Sequence, residues 1–146
     1  RSVDVLFPNG DEAAALTGLS GRSSDALVRD LSGDGACVVL KNGSEGAILS
    51  DGRRSFRADA LAVQVVDTTG AGDAFAAGFL DAWLDGNPPE SCLARAIACG
   101  TFAVTHFGGT LVLPTRQTIR DMERDVRIHA IHRTPSGAMP DKAPSI

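Results

Sequence analysis

The sequence predicts an α/β chain in which a mostly parallel central sheet is flanked by helices. Short apolar runs alternate with helix-like segments, the order expected of strands laid side by side with helices on their faces. The run Ala36 to Lys41 is apolar without alternation, which suits a strand covered on both sides. The 146 residues are 43% apolar and 22% charged, enough for one hydrophobic core and unlike a disordered composition.

Each element has a local reason. Val3 to Phe7 reads as a strand stopped by Pro8-Asn9-Gly10. Asp11 to Thr17 reads as a helix ended by Gly18, and Asp25 to Leu31 as a second, ended by Gly33 and Gly35. After the Ala36 to Lys41 strand comes the turn signal Asn42-Gly43. Gly46 to Ser50 and Arg54 to Ala58 then flank Asp51-Gly52 as a hairpin. Leu61 to Val66 reads as a further strand leading to Asp67. Ala71 to Leu84 is so apolar that it predicts a buried helix. Gly86-Asn87-Pro88-Pro89 ends it, and Glu90 to Phe107 forms the next helix, closed by Gly108-Gly109. Leu111 to Pro114 is extended, and Thr115 caps a last helix running to about Val126. The organisation predicted is a folded unit over residues 1–126 and a disordered tail over 127–146, where the apolar pattern fades and prolines accumulate. The first strand has no earlier partner in the chain and the sequence opens on Arg1, so the sheet is expected to continue in residues that precede it.

Composition narrows the function. A net charge of −4 without a basic stripe gives no electrostatic support for a nucleic-acid partner. No apolar run reaches the roughly 18 residues that span a bilayer, so no membrane partner is expected. Cys37, Cys92 and Cys99, an odd number in apolar stretches, read as reduced thiols of a cytoplasmic protein.

The segment that carries chemistry is Asp67-Thr68-Thr69-Gly70-Ala71-Gly72-Asp73-Ala74-Phe75, between a strand and an apolar helix. Gly70 and Gly72 allow a tight bend and a close approach of backbone to ligand. The first amides of the following helix lack intrahelical partners, and its dipole favours negative charge, so the bend is suited to phosphate. Asp73 puts a carboxylate beside that anion site. Helix N-termini welcome Asp without any catalysis, but that alone leaves the two glycines and the Asp-Thr-Thr lead-in unexplained. A P-loop is excluded because Gly-Lys occurs nowhere, and a G-x-G-x-x-G fingerprint from Gly70 fails at Phe75.

Extended to Asp67-Thr68-Thr69-Gly70-Ala71-Gly72-Asp73-Ala74-Phe75-Ala76-Ala77-Gly78-Phe79, this segment resembles the C-terminal signature of the PfkB, or ribokinase-like, carbohydrate kinases. Pro8 to Glu12 with Leu16-Thr17-Gly18 resembles the family's Asn-x-x-Glu element, Val39 to Ala47 its nucleotide-contacting strand and turn, and Ala103 to Gly109 with Pro114 its last stretch. The match runs over about residues 3 to 125, collinear with the second half of a family member.

The resemblance implies a partial ribokinase-like fold whose N-terminal part and lid are absent. It implies ATP-dependent phosphorylation of a sugar or sugar-acid hydroxyl, with a nucleoside as second choice of acceptor. A catalytically idle nucleotide-binding relative is a weaker reading, since Asp73 is intact. Asp73 would be the catalytic base, and the backbone at Gly70, Ala71 and Gly72 the anion hole. Asn9, Lys41 and Gly43 would lie by the ATP, and Glu12 would organise Mg²⁺ through water. Asp67 and Thr69, with carbonyls of Ala103 and Gly108, would match a monovalent cation site for K⁺, to which Val112 offers no side-chain ligand. A homodimer through the lid is a further implication. From spacing alone Asn9 and Glu12 read better as a helix start, and only their position relative to the Gly70–Asp73 motif reverses that, while Lys41-Asn42-Gly43 reads equally as a plain turn with a solvated lysine.

Overall fold

The computed structural model describes residues 3–33 and 35–131. Five strands form one sheet in sequence order: β1 (Val5–Leu6), β2 (Cys37–Lys41), β3 (Ala47–Ser50), β4 (Ser55–Ala58) and β5 (Ile128–Ile131). The helices are α1 (Gly10–Thr17), α2 (Ser24–Ser32), α3 (Ala71–Leu84), α4 (Pro89–Val104) and α5 (Arg116–Glu123).

The sheet is covered on both faces, as the unbroken apolar run of β2 requires. Val38 and Leu40 of β2, with Ile48 of β3, face α1 and α2 and meet Ala13, Leu27, Val28 and Leu31. Val39 and Leu49 face the other way, onto Phe75, Phe79, Leu93 and Ile97 of α3 and α4. Val38, Val39 and Leu40 are all fully buried. A strand read as a continuous apolar run is thus satisfied by two cores rather than one.

The expectation of mostly parallel pairing holds only for β1 and β2, which pair parallel across the α1–α2 connection. The other three pairs are antiparallel. Connection length explains this, since parallel neighbours need a crossover of a dozen or more residues. β2 and β3 are joined only by a 3₁₀ turn at Gly43–Glu45, and β3 and β4 by a loop in which Asp51 Oδ1 accepts the amides of Arg53 at 2.9 Å and Arg54 at 2.6 Å.

Three other expectations change. Leu61 to Val66 is not a strand: it has no ladder partner among the described residues and bends at Val66, and Val63, Val65 and Val66 are 40, 57 and 54% exposed. An apolar run without a neighbouring strand cannot satisfy its backbone as a sheet. The helix predicted to Phe107 ends at Val104, before two turns that lead to Gly108 in the left-handed region. Residues 128–131, assigned to a tail, form β5 on the open edge of β4. The rest of that tail, 132–146, lies outside the described residues. A four-residue strand in polar surroundings shows too little alternation to be read without its partner.

α3 is buried along one face only. Phe75, Phe79 and Ala82 are covered, while Trp83 is 38% and Leu84 81% exposed. Gly78 sits where α3 crosses α4, so it serves helix–helix packing. A methyl there would lie 2.7 Å from Cys99 Sγ and 2.9 Å from the Arg95 carbonyl. Helix propensity alone favours Gly78→Ala by about 1 kcal/mol. Overpacking against a backbone carbonyl costs about 1–3 kcal/mol. Gly78→Ala is therefore expected to lower the urea midpoint; a raised midpoint would show that the crossing relaxes. Burial pushes the Cys37 and Cys99 thiols up to about 11, with nearby carboxylates adding to it. All three cysteines are free.

Candidate active site

The Gly70–Asp73 bend is formed as its glycines dictate. Gly70 takes φ 73° and ψ 0° as N-cap of α3, a conformation costly for a residue with a side chain. The Ala71 amide turns back onto the Thr68 carbonyl at 3.3 Å, and the Ala74 amide onto Gly70 at 2.9 Å. The amides of Gly70, Gly72 and Asp73 have no acceptor among the described residues. The donors left open at the helix start are thus Gly70, Gly72 and Asp73, whereas the sequence reading placed Ala71 among them.

Lys41 reaches this bend from the sheet. A methyl built on Gly72 would come 3.5 Å from Lys41 Nζ, so the ammonium hangs over the start of α3. Positive charge and open amides then meet at one point, with the α3 dipole behind them. Lys41, Gly43, Thr68 and Gly72 line a cleft of about 650 Å³ whose far wall is apolar, including Val63, Val65 and Ile97. Two of the exposed valines of the 61–66 segment, Val63 and Val65, find their place here, as the wall of a cleft.

Asp73 faces elsewhere. It is exposed and opens onto a second cleft of about 490 Å³, between α3, α4 and the 112–120 segment. The N-terminus of α3 therefore divides two openings, one holding Lys41 and the other the Asp73 carboxylate.

Asp67 ties the bend to the end of α4. Its Oδ1 accepts the Thr69 amide at 2.9 Å, and its Oδ2 accepts the Gly108 amide at 3.0 Å, across 41 residues. Hydrogen bonds from Thr69, then from Gly108, hold its carboxyl below the usual 3.8. Gly109 packs on the same bend: with φ 61°, a methyl on it would lie 2.8 Å from the Thr69 carbonyl. Asp67, Thr69 and Gly108 thus come together. The Ala103 carbonyl is taken by the amides of Thr105 and of His106, the latter at 3.3 Å.

Asn9 and Glu12 hold one another. Asn9 Oδ1 accepts the Glu12 amide, and Glu12 Oε2 accepts the Asn9 amide, both at 2.8 Å. This is a capping box at the start of α1. Asn9 also bridges to Lys41 in the sheet, and Lys41 donates its amide to Pro8 at 2.9 Å, so the pair sits beside the lysine. Glu12 Oε1 remains unengaged among the described residues.

The parts missed in the sequence are the apolar cleft wall and the Gly109 contact on Thr69. The valine signal was there, but it read as a strand. Nothing local announces a glycine's contact with a residue 40 positions away.

The sheet covered on both faces and the glycine-lined start of α3 define an α/β domain with open amides at a helix N-terminus. The chain belongs to the pfkB family of carbohydrate kinases, whose family model matches residues 1–116. It is 34% identical over 120 residues to an ATP-dependent 6-phosphofructokinase of Thermoanaerobacterium thermosaccharolyticum, covering 82% of this chain and 37% of that one. It is 43% identical over 96 residues to a cytidine kinase of Thermococcus kodakarensis, covering 62% and 33%. The structure of Arabidopsis thaliana ribokinase complexed with ribose and ATP superposes with a TM-score of 0.76 at 32% identity, covering 84% of this chain and 41% of that one. The chain therefore spans well under half the length of these relatives. No helix among the described residues is long and apolar enough to cross a membrane.

Proposed function

We propose that this chain is the nucleotide-holding and base-bearing part of an ATP-dependent kinase that phosphorylates a sugar or sugar-acid hydroxyl. The observation that carries the reading is the meeting of Lys41 Nζ with the open start of α3 at Gly72, with Asp73 on the other side of the same helix turn. Phosphoryl transfer depends on positioning and charge stabilisation more than on covalent help from the protein. Here the phosphates of ATP would lie in the Lys41 cleft, its apolar wall against the base and its Lys41–Gly43 turn against the phosphates. The transferred group would rest on the amides of Gly70, Gly72 and Asp73. The acceptor hydroxyl would approach from the Asp73 side, where the carboxylate takes its proton. Donor and acceptor thus enter by different openings and meet at the helix N-terminus.

The residues fit the implied ions to different degrees. Mg²⁺ keeps most of its water and needs few protein ligands, so the open Glu12 oxygen beside Lys41 suits a water-mediated contact. Bound there, the ion would neutralise phosphate charge. A monovalent cation such as K⁺ would find oxygen donors in Asp67 and the carbonyls of Thr69 and Gly108, brought together by the Asp67 bonds. The Ala103 and Gly108 carbonyls each already accept an amide, from His106 and from Leu111, both at 3.3 Å, whereas the Thr69 carbonyl accepts none among the described residues.

The relatives include sugar-phosphate and nucleoside kinases, and a nucleoside acceptor is the second reading. The family resemblance further suggests assembly as a dimer through a lid and residence in the cytoplasm.

The deciding experiment measures ADP release by the full-length kinase with a panel of sugars, sugar acids and nucleosides. Turnover of a sugar or sugar acid supports the reading, and turnover confined to nucleosides replaces its acceptor. ADP titration of Lys41→Ala tests the donor side; affinity is expected to fall about 10–100-fold with the lost charge-assisted contact. Unchanged ADP affinity would remove Lys41 from the nucleotide cleft. The 146-residue chain alone is expected to turn over none of the panel.

A further inference from the structure

The turn between β2 and β3 contains the dipeptide Asn42-Gly43, whose chemistry allows a reaction other than phosphoryl transfer. Gly43 is exposed, and its amide has no acceptor among the described residues. With no Cβ, it offers little steric resistance to attack by its own nitrogen. The Asn42 amide is held at both ends. Ser24 Oγ donates to Asn42 Oδ1 at 3.2 Å, and Asn42 Nδ2 donates to Glu45 Oε2 at 3.2 Å.

We propose that Asn42 is a site of spontaneous deamidation, and that the acid it leaves behind weakens nucleotide binding at the adjoining Lys41–Gly43 turn. The second half rests on the nucleotide reading of that turn. In the reaction, the deprotonated Gly43 nitrogen attacks Asn42 Cγ and forms a new C–N bond. The Cγ–Nδ2 bond then breaks, and the nitrogen leaves as ammonia with a proton from solvent. Water opens the resulting cyclic imide at either carbonyl, giving an aspartyl or isoaspartyl residue, with no change of oxidation state. The Ser24 hydroxyl points at the oxygen on which negative charge gathers during attack, so it stabilises that step. Asn42 stands at ψ 23° and must rotate to bring the Gly43 nitrogen onto Cγ, so the folded turn reacts more slowly than a free Asn-Gly peptide.

The product cannot keep the original contacts. A carboxylate at position 42 faces the Glu45 carboxylate where an amide N–H donated before. Like charges at hydrogen-bond distance repel, and the turn opens. The new charge also adjoins Lys41, whose ammonium lies over the Gly72 bend.

The test warms the purified protein at mildly alkaline pH and follows it by peptide mapping, beside a synthetic peptide of residues 38–48. The expected result is a time-dependent mass gain of one amide-to-acid conversion on the peptide that carries Asn42, with isoaspartate present. Asn42 unchanged after the synthetic peptide has fully converted overturns the modification. ADP titration of Asn42→Asp, which installs the aspartyl product directly, is expected to show about tenfold weaker binding. Parent-like affinity in Asn42→Asp while Lys41→Ala binds weakly overturns the consequence alone. Parent-like affinity in both removes the nucleotide turn, and the regulatory half of the proposal with it.

Discussion

On the proposed reading, Asp73→Asn in the full-length protein is expected to lower kcat by about 10²–10⁴-fold, the usual worth of a positioned general base. That corresponds to about 3–5 kcal/mol of barrier. The amide keeps the shape of the side chain but cannot take the proton of an acceptor hydroxyl. Asp73 is exposed in the first turn of α3 and makes no side-chain hydrogen bond among the described residues. Its loss from the helix start costs only about 0.3–1 kcal/mol of dipole stabilisation. The kinetic effect exceeds the structural one severalfold, so the variant should be folded and slow. ADP affinity should stay near that of the parent, because Asp73 opens onto the cleft away from Lys41 and Gly43. Unaltered turnover would remove Asp73 as the base, and a lost thermal transition would make the effect one of folding.

The largest expected loss of stability comes from Gly46→Ala. Gly46 adopts φ 90° and ψ −131°, a region closed to residues with a side chain. A methyl on it would overlap the Ala58 carbonyl and lie 2.8 Å from the Ala60 amide. Gly46 also closes the β2–β3 turn, since its carbonyl accepts the Asn42 amide at 2.8 Å. Backbone strain of about 1–3 kcal/mol and overpacking of a further 1–3 kcal/mol add to about 2–6 kcal/mol. That is a large share of the 5–15 kcal/mol by which domains are typically stable. Denaturant unfolding of the variant should show a much lower midpoint, or no folded baseline. Gly43→Ala is the control: its φ of 56° carries strain, but nothing lies within 4 Å of the added methyl. If the two variants unfold together, packing against Ala58 is not what requires glycine at position 46.

Much of the fold is legible where the cause is local. Thr115 is readable as a helix start because a hydroxyl before an apolar period accepts a first-turn amide, as it does; the matching cap at Ser23 is seen only in the structure. Gly18 takes the left-handed conformation that ends α1. The two-sided burial of β2 follows from its unbroken apolar run. The failures have a common origin. Val63, Val65 and Val66 carry strand propensity, but whether a segment becomes a strand depends on a partner for its amides. β5 has its partner in β4, about 70 residues earlier, and its own four residues say little.

The site divides along the same line. The sequence by itself determined the glycine-lined bend, the apolar helix that follows it and the carboxylate in that helix's first turn. These rest on φ freedom, periodicity and unpaired amides, all properties of a few consecutive residues. Only the tertiary structure decided that Lys41 overhangs Gly72, that Asp67 fastens the bend to Gly108, and that Asp73 opens away from Lys41. Those facts depend on strand register and helix crossing, which bring together residues 31 and 41 positions apart. No window of neighbouring residues contains that information.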